Sequence, residues 1–200
     1  VLTGEGADEF LAGYDIFKEA LVRRFWARQP DSTWRPSLLR RLYADIPALG
    51  ATGNSYLKAF FGGGLNETHR SDYSHSIRWK NNRRNCRFFS EELQSSILRQ
   101  RALEDHDLQL PPEFKDWGSL EQAQYLEIAV FLSQYLLCSQ GDRPAMAHSV
   151  EGRFPFLDYR VVEFCNRLPA RLKLHGLTEK YLLRQAAKDW LPDEILARGK

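Results

Sequence analysis

Three stretches carry side chains whose types and spacing could do chemistry. The first, Gly4-Glu5-Gly6-Ala7-Asp8-Glu9, sets three carboxylates among two glycines. Gly4 and Gly6 let the backbone approach a ligand closely, and the acids could hold Mg²⁺ together with its phosphates. A tight turn followed by helix-capping acids accounts for the same residues without a ligand. The second stretch begins at Gly141-Asp142-Arg143 and continues as Met146-Ala147-His148-Ser149-Val150-Glu151-Gly152-Arg153-Phe154-Pro155-Phe156-Leu157-Asp158. Its charged side chains lie so close to apolar ones that they are expected to pair or to face a site. A buried structural network, Glu151 with Arg153 or Asp142 with Arg143, is the alternative. The third is Thr178-Glu179-Lys180-Tyr181-Leu182-Leu183-Arg184, with Arg198 and Lys200 beyond it. Lys180 and Arg184, one helical turn apart, share a face that could meet phosphate oxygens, or they are ordinary solvated cations.

These stretches need elements to position them. Val1-Leu2-Thr3 suits the end of a buried strand, and Gly4 and Gly6 turn it into a helix opened by Asp8 and Glu9. Phe10, Leu11, Tyr14, Phe17, Leu21, Val22 and Phe25 recur at helical spacing, which predicts one amphipathic helix to about Arg28. Residues 30 to 115 carry few signals: a short helix over Ser37 to Tyr43, prolines at 30, 36 and 47, a break at Gly62-Gly63-Gly64, and a helix start at Ser90-Glu91-Glu92-Leu93. From Ser119 to about Gln140 the chain is apolar on most faces, as a central helix packed on several sides would be. Gly141-Asp142 restarts the chain, and Arg143 to Arg153 reads as a helix stopped by Pro155. Asp158 caps another helix that Pro169 closes, Thr178 to Trp190 is the last long one, and Pro192-Asp193-Glu194 starts a short one.

The chain has 200 residues, 43% hydrophobic and 27% charged, within the range of one globular domain. Its formal charge of +2 is too balanced to imply a polyanionic partner, and 12% aromatic residues with five Trp exclude disorder of the whole. Cys86, Cys138 and Cys165 form neither a disulfide framework nor a metal pair, and they indicate a reducing, cytoplasmic setting. His69, His75, His106, His148 and His175 have no zinc-ligand spacing. The most apolar stretch, Leu120 to Cys138, contains Glu121, Gln122, Gln124, Glu127, Ser133 and Gln134, so a buried helix is expected there and no membrane span. The opening Val1 and the closing Arg198-Gly199-Lys200 read as cut ends, so a piece of a longer protein is expected.

In this order, GEGADE, then DR with MAHSVEGRFPFLD, then TEKYLLR with LP and R-x-K, the motifs resemble the synthetase domain of glutamine-hydrolysing asparagine synthetases. That group is akin to the β-lactam and carbapenam synthetases. The resemblance covers Val1 to Arg28 and Ser133 to Lys200. It implies an α/β fold of the adenine nucleotide α-hydrolase type, the ATP pyrophosphatase class, with residues 1–200 the C-terminal part of one such domain. This part would be mainly α-helical with a remnant of the parallel sheet. The pyrophosphate loop S-G-G-x-D-S, which the family carries upstream of the GEG turn, does not occur in the sequence, and residues 1–200 alone are expected to be inactive.

The implied activity uses ATP and Mg²⁺ to convert aspartate, or another carboxylate, to an acyl adenylate with release of pyrophosphate. Ammonia, delivered from glutamine by a glutaminase domain of the same parent chain, then displaces AMP. The resemblance gives Asp8 to Mg²⁺ and pyrophosphate, and Gly4, Gly6 and Arg184 to the nucleotide. It gives Lys180 to the phosphates during adenylation, and Glu5 to a place near the adenylate where it takes a proton from ammonia. Asp142, Glu151 and Arg153 align with the wall of the site, either touching substrate or bracing it. None of the three cysteines matches the glutaminase nucleophile, and a homodimer is among the assemblies compatible with the family.

Two other classes compete. The segment from Arg78 to Phe89 interleaves five cations with three aromatics, a pattern that single-stranded nucleic acid would suit, although the small net charge weighs against it. A helical interaction domain that has lost catalysis is the other, and the presence of Glu5, Asp8 and Lys180 counts against it.

Overall fold

A computed structural model of the chain describes residues 1–42, 53–103, 108 and 110–198. Tyr43, Pro47, His106 and Lys200 lie outside the described residues.

The expected first helix is two. Helix α1, Ala7–Phe10, starts from Gly6 in a left-handed conformation (φ 95°), and it stops where Ala12 is also left-handed (φ 57°) and Gly13 follows. Helix α2, Asp15–Ala27, then runs in a new direction. It is the hub of the described residues: Val22 and Trp26 pack with Leu39, Leu57, Phe61 and Ile77, while Ile16 and Phe17 pack with Ala12 and Ala123. Arg23 on the same helix is 1% exposed and donates to the carbonyls of Phe61, Gly63 and Tyr73, at 3.2, 2.8 and 3.1 Å. One guanidinium thereby ties carbonyls from the end of one later helix, the glycine break and the start of the next helix to α2.

The short helix expected over Ser37 to Tyr43 is a 3₁₀ helix that starts earlier, Arg35–Arg41. Helices α3 (Gly53–Phe61), α4 (Tyr73–Arg83) and α5 (Glu91–Leu103) follow, and Ser90 Oγ accepts the Leu93 N–H at the start of α5. Helix α6, Ser119–Leu126, passes without interruption into a π-helical stretch, Glu127–Asp142, and then into α7, Arg143–Ala147. Gly141-Asp142 therefore does not restart the chain, and α7 ends well short of Arg153. The wider π turn spreads apolar residues around the axis, burying Leu132 while Val130, Phe131 and Tyr135 face outward. This helix is thus packed on fewer sides than its composition suggests, and the central position belongs to α2.

Asp158 caps α8, Tyr159–Arg167, by accepting from the Arg160 N–H. The Arg160 guanidinium beside it holds its carboxyl down to about 2. Beyond α9 (Ala170–Lys173), the expected long helix Thr178 to Trp190 shortens to α10, Tyr181–Ala186, and α11 spans Asp193–Ala197. Strand pairing among the described residues is reduced to two isolated bridges, antiparallel His175 with Thr178 and parallel Leu2 with Arg153, where Thr3 N–H donates to the Arg153 carbonyl at 3.0 Å. Val1 and Leu2 are 75% and 76% exposed, so the expected burial of this strand is corrected. No described helix is long and apolar enough to cross a membrane.

A candidate site where Lys180 meets the first turn

The turn before α1 and the turn before α10 come from opposite ends of the chain and meet. Lys180 Nζ lies 2.8 Å from Asp8 Oδ1, with the two side chains 26% and 23% exposed. Lys180 is left-handed (φ 49°, ψ 37°), a conformation costing a non-glycine residue about 1–2 kcal/mol, and its N–H donates to the Leu11 carbonyl at 3.2 Å. The hydrogen bond and the ion pair together hold the residue in this strained form, and such strain clusters where a side chain must be aimed.

Two glycines shape the turn. At Gly6 a Cβ would run into the Leu157 side chain, so its conformation and the close approach of the 155–157 turn both require glycine. At Gly13 a Cβ would collide with Asp8 Oδ1 and Lys180 Cε. Gly13 thus keeps open the space in which the lysine reaches the aspartate, and its N–H donates to the Asp8 carbonyl at 2.7 Å. It was absent from the sequence-based candidates. Its signal was a glycine inside an otherwise helical apolar pattern.

Of the other acids, Glu5 is half-buried beside the turn. Glu9 is 1% exposed and points the other way, accepting the Tyr14 hydroxyl at 2.7 Å. Burial raises the Glu9 carboxyl above the ordinary range, and burial with the Glu9 carboxylate pushes the Tyr14 phenol up. Gly4 is exposed with open space about it.

Behind Lys180 sits an ion cluster. Glu179, 5% exposed, accepts from Lys18 Nζ at 3.3 Å and from Arg184 Nη2 at 2.5 Å. Burial by itself raises its carboxyl, but its backbone hydrogen bond and the two cations outweigh burial and hold it below the usual value. Arg184 also donates to the carbonyls of Glu179, Leu196 and Arg198. Lys180 and Arg184 therefore do not present one common face: the lysine goes to Asp8, the arginine inward to Glu179. The left-handed Lys180 is what separates them.

The second motif is mostly at the surface. Asp142 is exposed, and Glu151 and Arg153 form a 2.7 Å pair whose side chains are more than two-thirds exposed. The alternative of a buried network between Glu151 and Arg153 gives way to a solvated pair beside the parallel bridge. In the basic segment, Arg78 pairs with Glu19, Lys80 pairs with Glu67, and Trp79 lies against His75 with ring centroids 5.4 Å apart. Arg78 thereby ties α4 to α2 and Lys80 ties it to the 65–67 turn, so two of the five cations of this segment are already paired with carboxylates. Among the described residues no three His, Cys, Asp or Glu side chains group as a metal cage.

The family described as asparagine synthase matches residues 1–200. Over 203 residues the chain is 29% identical to glutamine-hydrolysing asparagine synthetase 1 of Bacillus subtilis, covering 100% of the chain and 29% of that protein. It is 29% identical over 214 residues to amidase chry2 of Gibberella zeae, covering 100% of the chain and 31% of the relative. Amidase chyE of Penicillium rubens is 30% identical over 219 residues, 98% of the chain and 30% of that protein. The chain thus spans about three-tenths of the length of these relatives. No solved structure matches it significantly.

Proposed function

Since the chain belongs to the asparagine synthase family, we propose that it supplies part of the site at which a carboxylic acid is activated by ATP and then amidated by ammonia. A carboxylate does not react with ammonia in water, because the two form a salt and oxide is a poor leaving group. Transfer of AMP to the acid provides the leaving group, and the charge on the phosphates is what the protein must stabilise. The observation that carries the reading is the Asp8–Lys180 contact at the glycine-bounded turn.

In this mechanism the Lys180 ammonium, partly exposed and held by Asp8, binds phosphate oxygens as charge shifts onto them. Asp8 keeps that ammonium aimed. A single carboxylate fits the usual habit of Mg²⁺, which takes one or two protein carboxylates and completes its shell with phosphates and water. Asp8 is the residue that would hold it, and the ion would neutralise phosphate charge. Glu5, half-buried on the same turn, takes the proton from the attacking ammonia. Aspartate is the acid we infer, with ammonia drawn from glutamine by the remainder of the parent protein.

The test is AMP and pyrophosphate release from MgATP and ammonium by the full-length protein, first with aspartate and then with a panel of carboxylates. Aspartate-dependent release is expected. Release with a different acid alone would replace aspartate and favour a role akin to the two amidase-named relatives, and no release with any acid would overturn the activation reading. One variant probes the geometry directly. Gly13→Ala places a methyl between two flexible side-chain ends, so the fold should persist while the lysine and aspartate part, and AMP formation should fall by about 10–100-fold with an unchanged circular dichroism spectrum.

A further inference from the structure

On the far side of α6 from the α2 hub lies a cavity of about 490 Å³ that the proposed mechanism does not use. Its wall is aromatic and fixed. Trp117 and Tyr125 meet edge to face with ring centroids 5.5 Å apart, and both rest on Phe114, which is 2% exposed. Gln122 fastens the backbone beneath them by donating to the Phe114 carbonyl at 2.9 Å. The polar groups are few and converge: Lys173, Gln124, Glu121 and Asn166 complete the lining. Such a mixture, an apolar wall with a small number of placed polar groups, is characteristic of small-molecule sites of this volume.

Lys173 is the group that structure alone does not account for. It is 2% exposed, yet among the described residues its ammonium makes one hydrogen bond, to the neutral Gln124 Oε1 at 3.1 Å, and no salt bridge. An ammonium has three N–H donors, and a buried one without an anion is costly. Burial lowers its pKa, with Glu121 opposing that shift. Gln124 is itself held in place, its Nε2 donating to the Glu9 carbonyl at 2.5 Å. Glu121 folds back over Gly118 and lines the same cavity, a second charged group near enough to act on the lysine.

We propose that this cavity binds a small organic carboxylate with a flat apolar body, its carboxylate on Lys173, its body against Trp117 and Tyr125, and an α-amino group, where present, toward Glu121. An aromatic α-amino acid satisfies all three features. The site is separate from the Asp8–Lys180 turn, to which Gln124 connects it through the backbone of α1.

Calorimetric titration of the protein without nucleotide tests this, using phenylalanine and its amine-free analogue 3-phenylpropionate. Saturable binding of both is expected below about 1 mM, with phenylalanine the tighter. Lys173→Met, close in shape and free of charge, should weaken both by at least about tenfold. Asn166→Trp, an exposed position at the mouth, should abolish both while leaving the melting temperature unchanged. Glu121→Gln should remove the preference for phenylalanine. Absence of saturable binding up to about 10 mM, or unchanged affinity in both Lys173→Met and Asn166→Trp, overturns the site. Equal affinity for the two ligands overturns the role of Glu121. Binding is read without ATP, so neither failure bears on the activation reading.

Discussion

Lys180→Ala in the full-length protein is expected to lower AMP formation by about 10²–10³-fold, the loss of about 2.7–4 kcal/mol typical when one preorganised donor to developing charge is removed. Under the proposed function, any glutamine hydrolysis by the full-length protein should be unaffected. The left-handed backbone at Lys180 allows the ammonium to be separated from the turn. Glycine relieves the strain and so should keep or raise the melting temperature, whereas alanine should not. Both variants lack the ammonium and both should fail to make AMP. AMP formation by Lys180→Gly at the wild-type rate would show that the turn, and not the charge, is what the site requires. Lys180→Arg supplies a third point: the longer fork must share the space beside Gly13 with Asp8, so partial activity is expected.

Glu179→Ala should have the largest effect on stability. The carboxylate is buried between Lys18 and Arg184, and removing one partner of such a cluster leaves buried cations uncompensated, which costs about 3–5 kcal/mol. For a chain of this size that corresponds to a fall in melting temperature of roughly 6–20 °C. Lys18 retains Asp15 at 2.7 Å, and Arg184 retains its carbonyl partners, which places the expected loss toward the lower end. A loss below about 1 kcal/mol by urea unfolding would mean that the cluster is not a structural requirement.

The same residue sets an acid limit. Its folded-state pKa is depressed, so the stability it contributes is fully present above the unfolded glutamate value, about 4.3, and is lost as pH falls through the lower folded value. Glu9 has the opposite sign. Its pKa is raised, so its contribution is present below the unfolded value and is lost as pH rises through the folded one. Glu179→Gln should therefore flatten the acid limb of the stability profile below about pH 4.3, while Glu9→Gln should leave that limb and raise stability on the neutral side. Melting curves between acid and neutral pH distinguish the two.

Much about this protein was legible in the sequence because it depends on residues near one another in the chain. Asp158 caps α8 and Ser90 starts α5 because a short polar side chain can reach an N–H two or three residues on. The mainly helical character follows from apolar spacing, and the motif order pointed to the family that matches residues 1–200. Breaks inside helices were less legible. Spacing carried one helix across Ala12-Gly13, where a left-handed residue and the packing of Ala12 against Phe17 turn the chain, and it ended a helix at Gly141 where the π turn runs through.

Only the tertiary structure decided where the charges went. By helical spacing Lys180 and Arg184 share a face, but a buried Glu179, reached by a lysine 161 positions earlier, draws the arginine inward and leaves the lysine to Asp8. Lys173 stands in no motif of the sequence, yet the fold buries it beside Gln124 of α6. The physical reason is common to both. A helix or a cap is decided by rotamers and hydrogen bonds within a turn, whereas the fate of an ionisable side chain depends on which distant groups desolvate it and which opposite charge they bring.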